Sequence, residues 1–135
     1  MLVIGYGNTT RRDDGAGWYI AQHLMAHHAP LEAIATHQLT PELADTISHA
    51  GFVIFIDACA AMPPGRVLID SVHGVDDASL VHQMTPAGLL TLAQALYGQS
   101  PDALLVTING RDFGYGEGLS DEVEAACHQV IGWLE

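Results

Sequence analysis

The stretch FVIFIDA, residues 52–58, decides the fold of this chain. Its first five residues are apolar without interruption, and they are β-branched or aromatic. A run of this kind is typical of a strand that is covered on both faces, whereas a strand with one wet face alternates apolar and polar residues. Strands covered on both faces belong mostly to parallel sheets. The stretch therefore predicts the centre of a parallel sheet.

Shorter strand and helix signals lie on both sides of this run. Strand candidates occupy residues 2–4, 33–35, 66–70 and 103–108, and residues 15–28 carry apolar side chains at helical spacing. Two further helices are predicted to begin at a threonine cap followed by proline in the first turn, Thr40 with Pro41 and Thr85 with Pro86. Ser120 is predicted to cap a last helix that runs to Leu134. Strands that alternate with helices imply right-handed crossovers. The sequence predicts an α/β fold, a three-layer α/β/α sandwich around a mostly parallel sheet of about five strands, as a single domain over residues 1–135.

The charge balance argues against two classes of partner. The formal net charge is −12, there is no lysine, and the basic residues are Arg11, Arg12, Arg66 and Arg111. A sequence-independent grip on nucleic acid, or on an anionic membrane, needs a basic surface. The N-terminus resembles neither a signal peptide nor a membrane span, so we expect a cytoplasmic protein. In that compartment Cys59 and Cys127 would be free thiols.

Polar side chains follow the predicted strands where ligands bind in open parallel sheets. The aspartates Asp13 and Asp14 follow the first strand, Asp57 ends the buried run, and His82 precedes a helix. Each has a structural alternative: Asp57 held by loop amides, Asp14 facing a helix dipole, and Asp13 in a solvated ion-pair cluster with the neighbouring arginines. His82 could be an incidental, solvent-exposed residue before a helix that Thr85 and Pro86 start. Together, two carboxylates and an imidazole form a mixed oxygen and nitrogen site suited to nickel or zinc.

Two competing motifs are weaker. Gly5 and Gly7 match the first two glycines of a dinucleotide-binding motif, but Thr10 occupies the position of the third glycine. Acidic residues at the start of the helix would also repel a pyrophosphate, so the sequence does not favour dinucleotide binding. Cys59 could be a nucleophile with His37 or His82 as its base. A cysteine beside a buried strand is more often a packing residue.

Four stretches together resemble the hydrogenase maturation proteases, endopeptidases that trim the C-terminal extension from the large subunit of nickel–iron hydrogenases. They are VIGYGNTTRRDDGAG at 3–17, VIFIDA at 53–58, HQMTPAGLLTLAQAL at 82–96, and the closing strand, glycine loop and helix. The resemblance implies that Asp14, Asp57 and His82 are the metal-binding and catalytic residues. It also implies that the precursor of the large subunit is the partner, and that this substrate supplies the nickel, so that no permanent cofactor is expected.

The chain also departs from the pattern of that family. Many members carry glutamate at the position of Asp14, and the glycine-rich stretch after the second strand is replaced here by HQLTPELAD. The pattern assigns His37 no role, and it leaves open whether the metal or a carboxylate activates the water. We expect Asp13 and the two adjacent arginines to shape the mouth of the site. The alternative function is a nickel-dependent checkpoint or chaperone module that binds the large subunit without cutting it.

Overall fold

The computed structural model describes residues 1–27, 30–74 and 84–135. In these ranges the strands are β1 (Leu2–Tyr6), β2 (Glu32–Thr36), β3 (Phe52–Cys59), β4 (Val67–Val72) and β5 (Asp102–Asn109). The helices are α1 (Ala16–Ala26), α2 (Leu43–Ser48), α3 (Pro86–Tyr97) and α4 (Asp121–Leu134), and one 3₁₀ turn covers Arg12–Gly15. Among the described helices, none is long and apolar enough to cross a bilayer.

The strands form one sheet in the order β2-β1-β3-β5-β4. Strands β2, β1, β3 and β5 are parallel to one another, and β4 pairs with β5 in the antiparallel sense. The predicted mostly parallel sheet of five strands is therefore confirmed. Strand β3 lies at its centre, as the FVIFIDA run indicates.

The core is divided by the sheet into two apolar clusters. Alternate residues of β3 face opposite sides: Ile54 and Ile56 join one cluster, and Val53 and Phe55 join the other. The first cluster is closed by α1 and α4, and the second by α2 and α3. Burial of such side chains stabilises the fold by about 1.5–3 kcal/mol each. Both faces of β3 are covered, which is why its sequence does not alternate.

The helix signals at Thr85 and Gly98 are confirmed. The Thr85 hydroxyl oxygen accepts the backbone N–H of Gly88 at 3.0 Å, Pro86 occupies the first turn, and Gly98 ends α3 with φ of 74°. Helix α1 lies unusually close to the sheet at Gly17. A Cβ added there would overlap the carbonyl oxygen of Ile56.

Two helix starts differ in detail from the prediction. Helix α2 begins at Leu43, because the N–H groups of Leu43 and Ala44 first donate to the carbonyls of Thr40 and Pro41 in i→i−3 turns. Helix α4 does follow Ser120, but the Ser120 side chain does not cap it. That hydroxyl is used in a contact with the first loop, described below.

Candidate active site

The carboxyl ends of β2, β1 and β3 lie side by side at one edge of the sheet. The chain leaves β1 through a short loop and the 3₁₀ turn Arg12–Gly15 before it enters α1. Gly7 permits the close approach of loop and turn: its φ is 153°, and a Cβ there would overlap the carbonyl oxygen of Asp14. The tight loop places Asp14 over the ends of the strands.

Asp14 lines an open cavity of about 420 Å³. The backbone N–H of Asn8 donates to its Oδ2 at 2.9 Å, which fixes the orientation of the carboxylate. The cavity is lined by Asn8, Arg11, Asp14, His37, Gln38 and Phe113. His37 comes directly after β2, so the cavity combines residues from the ends of two neighbouring strands with the loop that follows β5.

Asp57 is the second carboxylate at this edge, and its environment opposes its charge. Burial raises its pKa above the usual value, and the negative charge of Asp14 raises it further. Hydrogen bonds from the Ala58 N–H, at 2.7 Å, and from the Tyr6 hydroxyl offset part of the increase. Burial and the charge of Asp57 in turn raise the pKa of Tyr6. The two predicted carboxylates therefore interact electrostatically.

His82, the third predicted site residue, lies outside the described residues. Within residues 1–27, 30–74 and 84–135, no three His, Cys, Asp or Glu side chains are arranged to hold a metal ion. The prediction that His82 completes the site stays a prediction. Asp14 and Asp57, its two predicted partners, both lie at this edge of the sheet, and the charge of Asp14 raises the pKa of Asp57.

Asp13 does not shape the mouth of the site, contrary to the expectation above. Its side chain is 0 % exposed. Oδ2 accepts the N–H groups of Arg111 at 2.8 Å and Asp112 at 2.9 Å and the hydroxyl of Ser120 at 2.8 Å, while Oδ1 accepts the Ser120 N–H at 2.7 Å. Burial alone would raise the pKa of Asp13, but these four hydrogen bonds outweigh it and hold the pKa below its usual value. Asp13 clamps the β5–α4 loop to the first loop.

The two adjacent arginines also contact the β5–α4 loop, each in its own way. Arg11 Nε donates to the carbonyl of Phe113 at 3.0 Å, and the guanidinium lies 4.9 Å from the ring centre of Tyr115. Arg12 pairs with the exposed Asp112 at 3.5 Å and lines a second cavity of about 310 Å³, with Trp18 and Leu119 among its walls. Of the two, only Arg11 lines the Asp14 cavity.

The two cysteines do not form a catalytic pair with the histidines of the described residues. Cys59 is a free, exposed cysteine at the end of β3, and its pairing with His82 lies outside the described residues. Cys127 is buried, and burial raises its pKa to about 12. A thiol held in its protonated form is a poor nucleophile.

Sequence reasoning missed Tyr6 as a site residue. Tyr6 lies one position beyond the paired residues Gly5 and Ile56, so it is level with Asp57 on the neighbouring strand. Aligning β1 with β3 in parallel register is the signal that would have found it.

Solved structures of known proteins superimpose on nearly the whole chain. The hydrogenase maturation protease HybD from Thermococcus kodakarensis is 22% identical, with 98% of this chain and 94% of that chain covered and a TM-score of 0.74. HybD from Escherichia coli is 21% identical, with coverages of 98% and 87% and a TM-score of 0.75. This chain has the fold of the hydrogenase maturation proteases.

A third maturation peptidase shares the same fold at higher identity. The hydrogenase 2 maturation peptidase from a Thaumarchaeota archaeon is 26% identical, with 98% of this chain and 93% of that chain covered and a TM-score of 0.71. No protein-family model and no curated protein sequence matches the chain. The maturation-protease resemblance of the sequence is thus confirmed by the structural neighbours.

Proposed function

We propose that this protein is an endopeptidase that removes the C-terminal extension of a nickel–iron hydrogenase large-subunit precursor in the cytoplasm. The observation that carries the proposal is the pair of carboxylates, Asp14 and Asp57, at the sheet edge. The negative charge of Asp14 already opposes ionisation of Asp57. A divalent cation brought between them would relieve that repulsion and reverse the rise in pKa. The maturation-protease fold supports the same function.

The nickel in this proposal belongs to the substrate and is recognised by Asp14, Asp57 and His82. Carboxylate oxygens and one imidazole nitrogen are ligands that nickel accepts. Three protein ligands leave room for groups of the precursor around the ion. When bound, nickel supplies Lewis acidity for hydrolysis of the peptide bond. The protein needs no metal of its own in this account.

The chain's own groups hold and orient the two carboxylates. The Asn8 N–H donates to Oδ2 of Asp14, and no hydrogen bond from residues 1–27, 30–74 and 84–135 reaches Oδ1. The Ala58 N–H and the Tyr6 hydroxyl fix Asp57 against the end of β3. Ligands that are already oriented do not have to be ordered when the substrate arrives, and this favours binding.

The test compares variants of the proposed ligands with a variant of a distant aspartate. Asp14→Asn, Asp57→Asn and His82→Ala are each mixed with nickel-loaded precursor, and the C-terminus is followed by intact mass. We expect loss of processing in all three and normal processing in Asp70→Asn, since Asp70 is exposed on β4 away from the site. Normal cleavage by a folded Asp57→Asn variant would overturn the proposal. Tight binding of the precursor by the wild-type protein without any loss of mass would favour a checkpoint module instead.

A further inference from the structure

A cation lines the Asp14 cavity, and the function proposed above gives it no role. Arg11 is one of four arginines in a chain without lysine and with a net charge of −12. Arg12 pairs with Asp112 and Arg111 pairs with Glu122, whereas Arg11 and Arg66 have no acidic partner within residues 1–27, 30–74 and 84–135. Of these two, only Arg11 lines the Asp14 cavity. An unpaired cation in so acidic a chain is available to a ligand.

The position of Arg11 is fixed by its backbone and by its side chain. Its N–H donates to the Asn8 carbonyl at 3.1 Å, and it forms a β-bridge with Gly116. On the side chain, Nε is used by the Phe113 carbonyl and one face lies over the Tyr115 ring. In the part of the chain that the structure describes, no hydrogen bond uses the two terminal amino groups. A guanidinium oriented in this way loses little conformational entropy when it binds a planar anion.

The cavity therefore carries charges of both signs, with Arg11 and Asp14 on the same lining. The planar anions of an unmodified polypeptide are its Asp and Glu side chains and its C-terminal carboxylate. Arginine binds such groups through two parallel hydrogen bonds. Asp14 repels a carboxylate at its own end of the cavity, so a bound carboxylate is directed to the Arg11 end.

We propose that Arg11 is a specificity-determining residue that binds a carboxylate of the substrate segment lying in the Asp14 cavity. The inference rests on the proposed endopeptidase function, because it assigns that segment to the precursor. It narrows the substrate class to polypeptides with a carboxylate, from a side chain or from the C-terminus, that reaches the Asp14 cavity when the substrate is bound. The protein would then recognise two groups of the substrate, the nickel at Asp14 and Asp57 and a carboxylate at Arg11.

The experiment measures cleavage of nickel-loaded precursor by wild type, Arg11→Gln, Arg11→Lys and the control Arg12→Gln. Arg12→Gln removes the same charge from the adjacent residue, whose side chain lines the other cavity. We expect Arg11→Gln to raise KM about 10-fold to 100-fold with little change in kcat, as for loss of hydrogen bonds to a charged group. Arg11→Lys should recover part of the loss, and Arg12→Gln should match wild type. Melting temperatures establish that all variants are folded.

Substrate variants identify the carboxylate and complete a double-mutant cycle. Each acidic residue of the extension and of the segment before the cut is changed to its amide, and in another variant the C-terminus is moved by added glycines. One of these changes should reproduce the Arg11→Gln loss with wild-type protein and add nothing with Arg11→Gln. An amide variant with this behaviour assigns an acidic side chain, and the glycine variant assigns the terminal carboxylate. Losses that simply add for every substrate would overturn the inference.

Failure of this inference can be told apart from failure of the proposed function. If wild type cleaves and Arg11→Gln behaves as Arg12→Gln does, the inference is wrong and the endopeptidase function stands. If wild type does not cleave, the affinity of wild type and Arg11→Gln for the precursor is compared by calorimetry. If wild type then binds the precursor more tightly than Arg11→Gln does, carboxylate recognition by Arg11 is supported and the endopeptidase function is wrong. Equal binding, or none, would overturn both.

Discussion

Replacing Asp13 by asparagine should destabilise the fold far more than the same change at the next residue. The Asp13 carboxylate accepts three backbone N–H groups and one hydroxyl in a fully buried position. In its better orientation an asparagine keeps its oxygen at Oδ2 and turns an NH₂ group toward the Ser120 N–H. One buried donor then loses its acceptor, at a cost of about 1–3 kcal/mol, and the other three hydrogen bonds lose their charged acceptor. Allowing for the easier burial of a neutral amide, we expect a net loss of about 3 kcal/mol.

Urea unfolding at neutral pH, followed by circular dichroism, measures this loss. For a chain of this size it corresponds to a fall of about 10 °C in melting temperature. The matched control is Asp14→Asn, which keeps an oxygen for the Asn8 N–H and should lose less than about 1 kcal/mol. Equal losses in the two variants would refute the assignment of Asp13 as the clamp between the loops.

The same clamp predicts a dependence on pH. The folded-state pKa of Asp13 lies below its unfolded value, so its contribution is complete above the unfolded carboxyl pKa of about 3.9 and is lost as the pH falls through the folded value. The gap in stability between wild type and Asp13→Asn should therefore narrow below about pH 4. A gap that stays constant down to the acid transition would contradict this.

Three further predictions concern the site and the packing beneath it. Asp57→Asn should raise the melting temperature at pH 7 and abolish processing. The folded state disfavours the charge of Asp57, and a neutral side chain removes that cost. A lower melting temperature would contradict the raised pKa of Asp57. Tyr6→Phe should raise the pKa of Asp57 further in the free protein, as measured by carboxyl ¹³C NMR titration, and an unchanged or lower pKa would contradict the hydrogen bond. Gly17→Ala should lower the free energy of unfolding in urea by about 1–3 kcal/mol or more, because its Cβ meets the Ile56 carbonyl. The control Gly51→Ala meets nothing within 4 Å and should be close to neutral. Equal effects of the two changes would refute the close approach at Gly17.

Much of the fold could be predicted from the sequence because its signals are local. The FVIFI run indicates that both faces of β3 are covered, and Thr85 with Pro86 predicts where α3 begins. At Thr40 the same signal predicts Pro41 as the first helical residue, two positions before the observed start at Leu43. A Thr-Pro pair favours a tight turn as well as a helix, and here the i→i−3 turn forms first.

The roles of Asp13 and Asp14 could not be separated from the sequence. The two residues are adjacent, and both stand at the start of a helix. What divides them is the β5–α4 loop, whose donors to Asp13 come from residues 98 to 107 positions later in the chain. The pairing of Tyr6 with Asp57 likewise depends on the register of β1 against β3. Side-chain roles set by such distant contacts have no local signal.

The most direct measurement for the central claim uses the wild-type protein and two forms of one substrate. Nickel-loaded and nickel-free large-subunit precursor are incubated separately with the purified protein, and the intact mass of each is followed with time. We expect loss of the C-terminal extension from the nickel-loaded form alone, because the proposed recognition uses nickel as a ligand of Asp14, Asp57 and His82. Equal cleavage of both forms would contradict recognition through nickel, and no cleavage of either form would contradict the endopeptidase function itself.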